Sequence, residues 1–252
     1  MNLIFITGTA GSGKTTLTSI LKKWYEERES DVIAVNLDPG ALKLPYEPDV
    51  DIRNYIDIEE IMEEYELGPN GALVAASDLI AVNLQGIKEE VEEHKADYVI
   101  VDTPGQLELF AFRESGPFVA RNLGGENKVV LFLFDFTVAS SPFNFLSTVL
   151  LYNSLKLRLS LPQIAVLTKT DLSQMMTKKL MNWCTHHTTL EEEIAKMKDS
   201  ESYLIANDVF RSFSSLSLIP VPIPVSSITW NGMLNLGSAI SNVVGGGEEY
   251  TE

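Results

Sequence analysis

A glycine-rich run near the start of the chain has the residue types and spacing that bind phosphate. It reads Gly8-Thr-Ala-Gly-Ser-Gly-Lys-Thr15 and lies between an apolar run, residues 3–6, and a helical pattern, residues 14–27. Such a loop points backbone N–H groups and a helix N-terminus at an anion. We therefore predict a loop that binds the phosphates of a nucleoside triphosphate, formed by Gly8, Gly11, Ser12, Gly13, Lys14, Thr15 and Thr16.

Two residues of this loop have specific expected roles. Lys14 is predicted to bridge the β- and γ-phosphates, and the Thr15 hydroxyl is predicted to coordinate Mg²⁺.

Asp102 follows an apolar run and opens the sequence Asp102-Thr-Pro-Gly-Gln106. A carboxylate at this place usually holds Mg²⁺ through water, and Asp38, which also ends an apolar run, is predicted to be a second carboxylate near the metal.

The residues after Asp102 extend this prediction. The Gly105 amide is expected to sense the γ-phosphate, and Gln106 is a candidate to orient the attacking water. Glu108 is either a proton relay or a solvated surface glutamate. A plain exit from a strand into a turn is the alternative explanation for both Asp102 and Asp38.

A third motif concerns the base. Thr168-Lys-Thr-Asp171 follows an apolar run and resembles the Asn-Lys-x-Asp signature of GTPases, with Thr168 in place of the usual Asn. A buried Asp171 accepts hydrogen bonds from guanine N1 and N2, which adenine does not offer, and the stem of Lys169 is expected to lie over the base. The pair Ser226-Ser227, after the next apolar run, resembles a final loop that contacts the base.

The elements that position these residues are predicted from short apolar runs, each followed by one of these loops. Continuous apolar runs with helical patterns between them indicate strands covered on both faces. The runs are residues 3–6, 32–35, 98–101, 129–134, 164–167 and 221–225. We predict a three-layer α/β fold of the P-loop NTPase type, with a mostly parallel sheet, helices on both faces and helical insertions. Ligands then bind at the carboxyl ends of the strands.

The chain is predicted to form a single domain over about residues 1–244. Insertions are expected at about 41–95 and 173–215, and residues 245–252 are expected to be a disordered tail. The region 129–152 is apolar, but Asp135 and Pro142 interrupt it, which favours a buried strand and helix over a membrane span.

Composition excludes some partners. The formal net charge of −16 argues against a broad basic surface for nucleic acid or anionic lipid. The single cysteine, Cys184, excludes an internal disulfide and favours a reducing compartment, so we expect a cytoplasmic protein that contacts neither nucleic acid nor a membrane directly. The neighbouring His186 and His187 do not have, together with Cys184, the ligand spacing of a metal site. The pattern favours an ordinary polar helix surface for these residues.

The order of four motifs along the chain gives a specific resemblance to a known family. Asn36-Leu-Asp-Pro39, Pro48-Asp-Val-Asp-Ile-Arg-Asn-Tyr55, Gly68-Pro-Asn70 and Asp102-Thr-Pro-Gly-Gln106 occur as in the GPN-loop GTPases, a resemblance that covers about residues 2–240. That family belongs to the dimer-forming branch of P-loop GTPases. The ATPases of that branch carry a lysine at the second position of the loop, where this chain has Thr9, which weakens an ATPase interpretation.

The resemblance implies Mg²⁺-dependent GTP hydrolysis by a homodimer. It implies that Gly68, Pro69 and Asn70 of one subunit enter the site of the other, where Asn70 approaches the γ-phosphate and the water. It also implies a client protein, with RNA polymerase assembly as the partner class. Without the resemblance, the same three residues are a helix stop followed by a turn.

Two other functions stay open from the residues. A small-molecule kinase shares the phosphate loop but usually needs an arginine-bearing lid, and no such cluster of arginines is evident in the sequence. An assembly factor would use hydrolysis only as a timer for the docking of a partner.

Overall fold

The computed structural model describes residues 1–198 and 201–245 of the 252-residue chain. Within these residues, seven strands form one sheet in which every strand pair is parallel. The strands are β1 (Asn2–Gly8), β2 (Val32–Asn36), β3 (Val50–Asp51), β4 (Tyr98–Asp102), β5 (Asn127–Asp135), β6 (Gln163–Thr168) and β7 (Ile223–Pro224). Their order across the sheet is β3-β2-β4-β1-β5-β6-β7.

Twelve α-helices occur in the same residues. They are α1 (Lys14–Glu26), α2 (Ile58–Glu64), α3 (Pro69–Val82), α4 (Leu84–Glu93), α5 (Leu107–Ala111), α6 (Ser115–Asn122), α7 (Phe136–Ala139), α8 (Pro142–Leu159), α9 (Gln174–Thr185), α10 (His187–Ala195), α11 (Tyr203–Ser215) and α12 (Met233–Val244). Local chemistry sets several helix starts. Asp57 accepts hydrogen bonds from the first amides of α2, and Pro69 occupies the first position of α3, where its missing N–H costs nothing.

The two faces of the sheet are covered by different helices. On one face, Leu21 of α1 and Ile240 of α12 belong to the same buried cluster as Ile6 of β1. On the other face, aromatic side chains fill the core, as where the rings of Phe134 and Phe145 lie 6.3 Å apart. Burial on both faces explains why the strands are continuous apolar runs rather than alternating ones.

The parallel register brings the functional loops to one edge of the sheet. Asp102 at the end of β4 pairs in register with Ile6 of β1 and with Asn36 of β2. On the other side of β1, Thr168 at the end of β6 is in register with Asp135 of β5. The predicted convergence of these loops at the carboxyl ends of the strands follows from this register.

The three-layer parallel fold predicted from the sequence is confirmed, with two differences in the short strands. β3 was not predicted, because two residues that pair with a distant strand leave no apolar run. β7 is shorter than the predicted run 221–225, because Pro222 and Pro224 have no N–H to donate to the sheet.

The two predicted insertions contain the following elements. Residues 41–95 hold β3, a 3₁₀ turn (Ile52–Asn54) and helices α2, α3 and α4, while residues 173–215 hold α9, α10 and α11. Residues 199–200 of the second insertion lie outside the described residues. The expected tail, 245–252, also lies outside them apart from Gly245. None of the helices in the described part of the chain has the length and apolar character needed to cross a membrane.

Candidate functional site

The phosphate loop joins β1 to α1 with glycines in conformations that other residues rarely adopt. Gly11 has φ +75° and Gly13 has φ +96°, and a Cβ at either position would meet no atom within 4 Å. Open space therefore borders the loop on this side. Gly13 precedes α1 without a side-chain cap, so the first amides of that helix face the loop unshielded by a capping group. This is the geometry of an anion site at a helix N-terminus.

Lys14 places its ammonium group at the centre of this loop. Its Nζ donates to the carbonyl oxygens of Gly8 at 2.9 Å, Thr9 at 3.1 Å and Gly105 at 2.8 Å. Burial lowers the pKa of Lys14, although the carboxylates of Asp102 and Asp38 act to raise it. A cation held only by carbonyl oxygens in a buried site is poised to exchange them for a stronger, charged acceptor such as a phosphate.

Asp102 lies at the bottom of the site, 1% exposed. Its Oδ2 accepts a hydrogen bond from the Tyr46 hydroxyl at 3.1 Å. Its Oδ1 is buried and has no hydrogen-bond partner among the described residues. Burial raises the pKa of Asp102 to about 6, although the neighbouring Thr15 and Tyr46 hydroxyls act to lower it. A buried carboxylate oxygen without a partner is costly unless another group satisfies it.

The residues at this point fit a Mg²⁺ ion. Mg²⁺ is usually held by one or two carboxylates together with waters and the phosphates of the substrate, so a dense cluster of ligands is not required. Within residues 1–198 and 201–245, no group of three or more His, Cys, Asp or Glu side chains forms a metal cage. The free Oδ1 of Asp102 and the adjacent Thr15 hydroxyl supply the oxygen chemistry that the ion needs.

Asp38 is near this centre but faces backbone amides. Its Oδ1 accepts from Gly40 N–H at 3.0 Å, and its Oδ2 accepts from Gly105 N–H at 2.8 Å. The turn that carries it is held by Asn36, whose Oδ1 accepts from Asp38 N–H at 3.0 Å. Asp38 is therefore placed beside Gly105, and its predicted role as a metal ligand stays a prediction.

The base motif forms one wall of a cleft of about 270 Å³. The residues that line the cleft are Gly13, Thr16, Thr168, Lys169, Asp171, Leu172, Ser227 and Ile228. Thr168 is 3% exposed, and its hydroxyl donates to the carbonyl oxygens of Ser12 at 2.8 Å and Phe134 at 3.3 Å. The hydroxyl at this position thus ties the base motif to the phosphate loop.

Asp171 differs from the sequence-based expectation of a buried carboxylate. It lies in a 3₁₀ turn (Thr170–Leu172) just after β6, and it is exposed at the mouth of the cleft. Ser226 is buried, and its hydroxyl donates to Asp171 Oδ1 at 2.7 Å. Ser226 therefore orients the carboxylate, while its neighbour Ser227 lines the cleft directly.

The remaining predicted residues lie at the periphery. Gln106 is exposed just before α5, and Gly68, Pro69 and Asn70 are exposed at the start of α3. The Asn70 side chain makes no hydrogen bond within the described part of the chain.

Two contributors to the site were not identified from the sequence. Tyr46 comes from an irregular loop without periodicity, so nothing marked it as a partner of Asp102. Asp135 was identified only as an interruption of the apolar region 129–152, although it is 5% exposed and pairs with Lys169.

Comparison with known proteins identifies the family. The GPN-loop GTPase PAB0955 of Pyrococcus abyssi is 38% identical over 174 residues, which cover 68% of each chain. This chain belongs to the GPN-loop GTPase family. The structure of PAB0955 without nucleotide superposes on it with a TM-score of 0.83 and 31% identity, over 96% of this chain and 97% of that chain.

Three further comparisons qualify this membership in the GPN-loop GTPases. GPN-loop GTPase 1 of Saccharomyces cerevisiae is 33% identical over 202 residues, 79% of this chain but 52% of the yeast protein. The chain thus spans about half the length of this relative, and 44% of GPN-loop GTPase 1 of Dictyostelium discoideum. A family model described as a conserved hypothetical ATP-binding protein matches residues 6–246. This family description names ATP, whereas the names of the relatives refer to GTP, so the two differ in the base of the nucleotide.

Proposed function

We propose that this chain binds GTP with Mg²⁺ and hydrolyses it to GDP and phosphate as a homodimeric switch. The observation that carries the choice of base is the hydrogen bond from Ser226 to Asp171, which fixes a carboxylate at the mouth of the cleft. A carboxylate accepts from guanine N1–H and N2–H, whereas adenine presents an acceptor at N1. This favours guanine, the base implied by the names of the relatives, over adenine, the base implied by the family description.

The phosphates lie along the loop in this proposal. The amides from Thr9 to Thr15 surround the β-phosphate, and Lys14 gives up the carbonyl of Gly105 to contact the γ-phosphate. Thr15 and Asp102 would hold Mg²⁺, with Asp38 nearby, and the bound ion would neutralise charge on the phosphate oxygens. Gln106 orients the attacking water, and the chain contributes mainly position and charge to an in-line attack.

A second protomer completes the site in this proposal. Gly68, Pro69 and Asn70 are exposed, and Pro69 fixes the first turn of α3, so the Asn70 amide is presented on a rigid support. An amide can donate to a phosphoryl oxygen and accept from a water. The switch acts on a client protein in the cytoplasm, and RNA polymerase assembly is proposed from the resemblance alone.

Phosphate release tests the hydrolysis proposal. With Mg²⁺ present, wild type releases phosphate from GTP faster than from ATP, and Lys14→Ala abolishes this release. Release that is equal for ATP, or that persists in Lys14→Ala, contradicts the proposal. Acceleration by an acceptor other than water would indicate a kinase instead.

Mixing two inactive variants tests the contribution in trans. Asn70→Ala keeps its phosphate loop but lacks the amide, whereas Lys14→Ala keeps the amide but lacks the loop lysine. Activity regained on mixing supports a shared site, because each mixed dimer then holds one complete centre. Asn122→Ala, which removes another exposed asparagine amide, is the matched control. A mixture without activity, or full activity in a monomer, contradicts the trans arrangement.

A further inference from the structure

The backbone N–H and the backbone carbonyl of Gly105 are both held by residues of the phosphate site. Its N–H donates to Asp38 Oδ2 at 2.8 Å, and its carbonyl accepts from Lys14 Nζ at 2.8 Å. A Cβ built at Gly105 would lie 3.3 Å from Asp38 Oδ2, so the contact is close enough to favour a glycine. The two groups expected to bind a γ-phosphate, this amide and the lysine, are therefore both engaged within the chain.

We propose that Asp38 is the residue by which this chain distinguishes a nucleoside triphosphate from a diphosphate. The inference rests on the proposed function, because it concerns the same phosphate site. The Gly105 N–H is a single donor, so a carboxylate and a phosphoryl oxygen compete for it. A γ-phosphate displaces Asp38 from Gly105, because two negative groups on one amide repel each other. A diphosphate ends at the β-phosphate, and Asp38 stays on Gly105.

The displaced carboxylate belongs to a turn that contacts the helix carrying Asn70. Asp38 Oδ1 also accepts from Gly40 N–H, and a Cβ built at Gly40 would lie 2.7 Å from Leu73 Cδ2. Leu73 belongs to α3, and Asn70 is the second residue of that helix. The exchange at Gly105 therefore acts on a turn that packs directly against the helix that presents Asn70.

The sequence allows a selective measurement of both amides. Pro39-Gly40 and Pro104-Gly105 are the two Pro-Gly pairs of the chain. Labelling proline with ¹³C at the carbonyl and glycine with ¹⁵N thus selects two amide resonances, and both amides donate to Asp38. No assignment of the rest of the spectrum is needed.

The NMR experiment compares the wild-type chain alone, with GDP, and with the non-hydrolysable analogue GMPPNP, all in EDTA so that no metal contributes. We expect GMPPNP to shift both resonances and GDP to leave both near their positions in the free chain. In the free chain, Asp38→Ala shifts both resonances as well. Equal shifts with GDP and GMPPNP, or the same spectrum for wild type and Asp38→Ala, would overturn the proposal.

Calorimetry gives a second readout that a metal-binding role for Asp38 does not predict. In EDTA, we expect Asp38→Ala to raise the affinity for GMPPNP at least fivefold relative to GDP. Asp38→Asn, which keeps an acceptor but loses the charge, gives a smaller rise. Glu108→Gln removes a charge that acts on Lys14 without touching Gly105, and it changes the ratio less than twofold. An unchanged ratio in Asp38→Ala, or an equal rise in Glu108→Gln, would overturn the proposal.

These outcomes are distinguishable from a failure of the proposed function. If an ATP analogue shifts the two resonances and GMPPNP does not, the choice of guanine fails and the role of Asp38 stands. If GMPPNP shifts them but GTP is not hydrolysed, the catalytic proposal fails and the role of Asp38 again stands. The wild-type NMR comparison needs no variant, so the proposal is tested even if Asp38→Ala does not fold.

Discussion

The ammonium group of Lys169 lies 2.8 Å from Asp135 Oδ2 and also donates to the carbonyl oxygen of Gly11 at 2.8 Å. One side chain thus joins the end of β5, the base motif and the phosphate loop. Asp135 is itself held through Oδ1, which accepts from the backbone N–H and hydroxyl of Thr137. Burial acts to raise the pKa of Asp135, but the hydrogen bonds from Lys169 and Thr137 outweigh it and the pKa lies below its ordinary value.

Asp135→Asn is expected to weaken nucleotide binding by disturbing Lys169. The neutral amide gives up a charge-assisted contact, a difference of about 1 kcal/mol or more, which corresponds to roughly a fivefold to twentyfold lower affinity for GDP. Calorimetry measures the affinity of the variant and of wild type for GDP. Glu114→Gln, which removes the 94% exposed partner of Arg158, is the control and leaves the affinity unchanged. An unchanged GDP affinity in Asp135→Asn would show that Lys169 needs no partner.

Ser226→Ala is expected to reduce discrimination at the base. Without the hydroxyl, Asp171 loses the hydrogen bond that orients it toward the cleft. Inosine diphosphate lacks the N2 amine of guanine, so the ratio of GDP to IDP affinity reports one contact to the carboxylate. We expect this ratio to fall roughly threefold to tenfold, equivalent to about 1 kcal/mol. An equal loss of affinity for GDP, IDP and ADP would instead indicate general damage to the cleft.

Thr168→Val is expected to destabilise the fold. Valine has nearly the same shape but leaves the buried carbonyl oxygens of Ser12 and Phe134 without this donor. The free energy of unfolding should fall by roughly 1–3 kcal/mol, as measured by denaturant titration. Thr168→Ser keeps the hydroxyl and loses about the cost of one methyl group. The interpretation is wrong if Thr168→Val is no less stable than Thr168→Ser.

Asp102→Asn is expected to stabilise the chain in EDTA at neutral pH while impairing Mg²⁺-dependent nucleotide binding. The pKa of Asp102, raised to about 6 by burial, means that the folded state holds the proton more tightly than the unfolded state. Stability is therefore greatest below the ordinary pKa and falls as the pH rises through about 6. At pH 7.5 the variant avoids the cost of burying a charged carboxylate. Its melting temperature should therefore be higher than that of wild type by roughly 2–8 °C.

The pH dependence provides the control for Asp102. The difference between variant and wild type should disappear near pH 4, where the carboxyl group of the folded wild type is protonated. Thermal unfolding of both proteins at pH 4.5, 6 and 7.5 measures this difference in melting temperature. A difference that does not change with pH would mean that shape or hydrogen bonding, rather than the buried charge, explains the effect.

The strand ends could be predicted from the sequence because they depend on local patterns. Apolar runs predicted the strands, and parallel pairing then placed Asp102 and Thr168 at one edge of the sheet. The contacts of Tyr46 with Asp102 and of Lys169 with Asp135 join residues 56 and 34 positions apart, and they depend on the path of irregular loops. No periodicity specifies such a path.

Three other features could not be predicted from the sequence, each for a different physical reason. β3 has two residues, and its pairing with β2 is set by tertiary contacts rather than by propensity. Asn70 is exposed, and the role that the resemblance implies for it depends on a second chain. The role of the Thr168 hydroxyl depends on the positions of the Ser12 and Phe134 carbonyl oxygens, which only the folded chain shows.

A base exchange tests the central proposal, guanine recognition by Asp171, most directly. Xanthine carries an oxygen where guanine carries the N2 amine, so an asparagine at this position can donate to it while still accepting from N1–H. Wild type is predicted to bind GDP at least about 100-fold more tightly than ADP or xanthosine diphosphate, since an unpaired polar group in the cleft is costly. Asp171→Asn is predicted to reverse the preference, binding xanthosine diphosphate more tightly than GDP. Calorimetry that finds ADP bound as tightly as GDP by wild type, or an unchanged guanine preference in Asp171→Asn, would contradict the account.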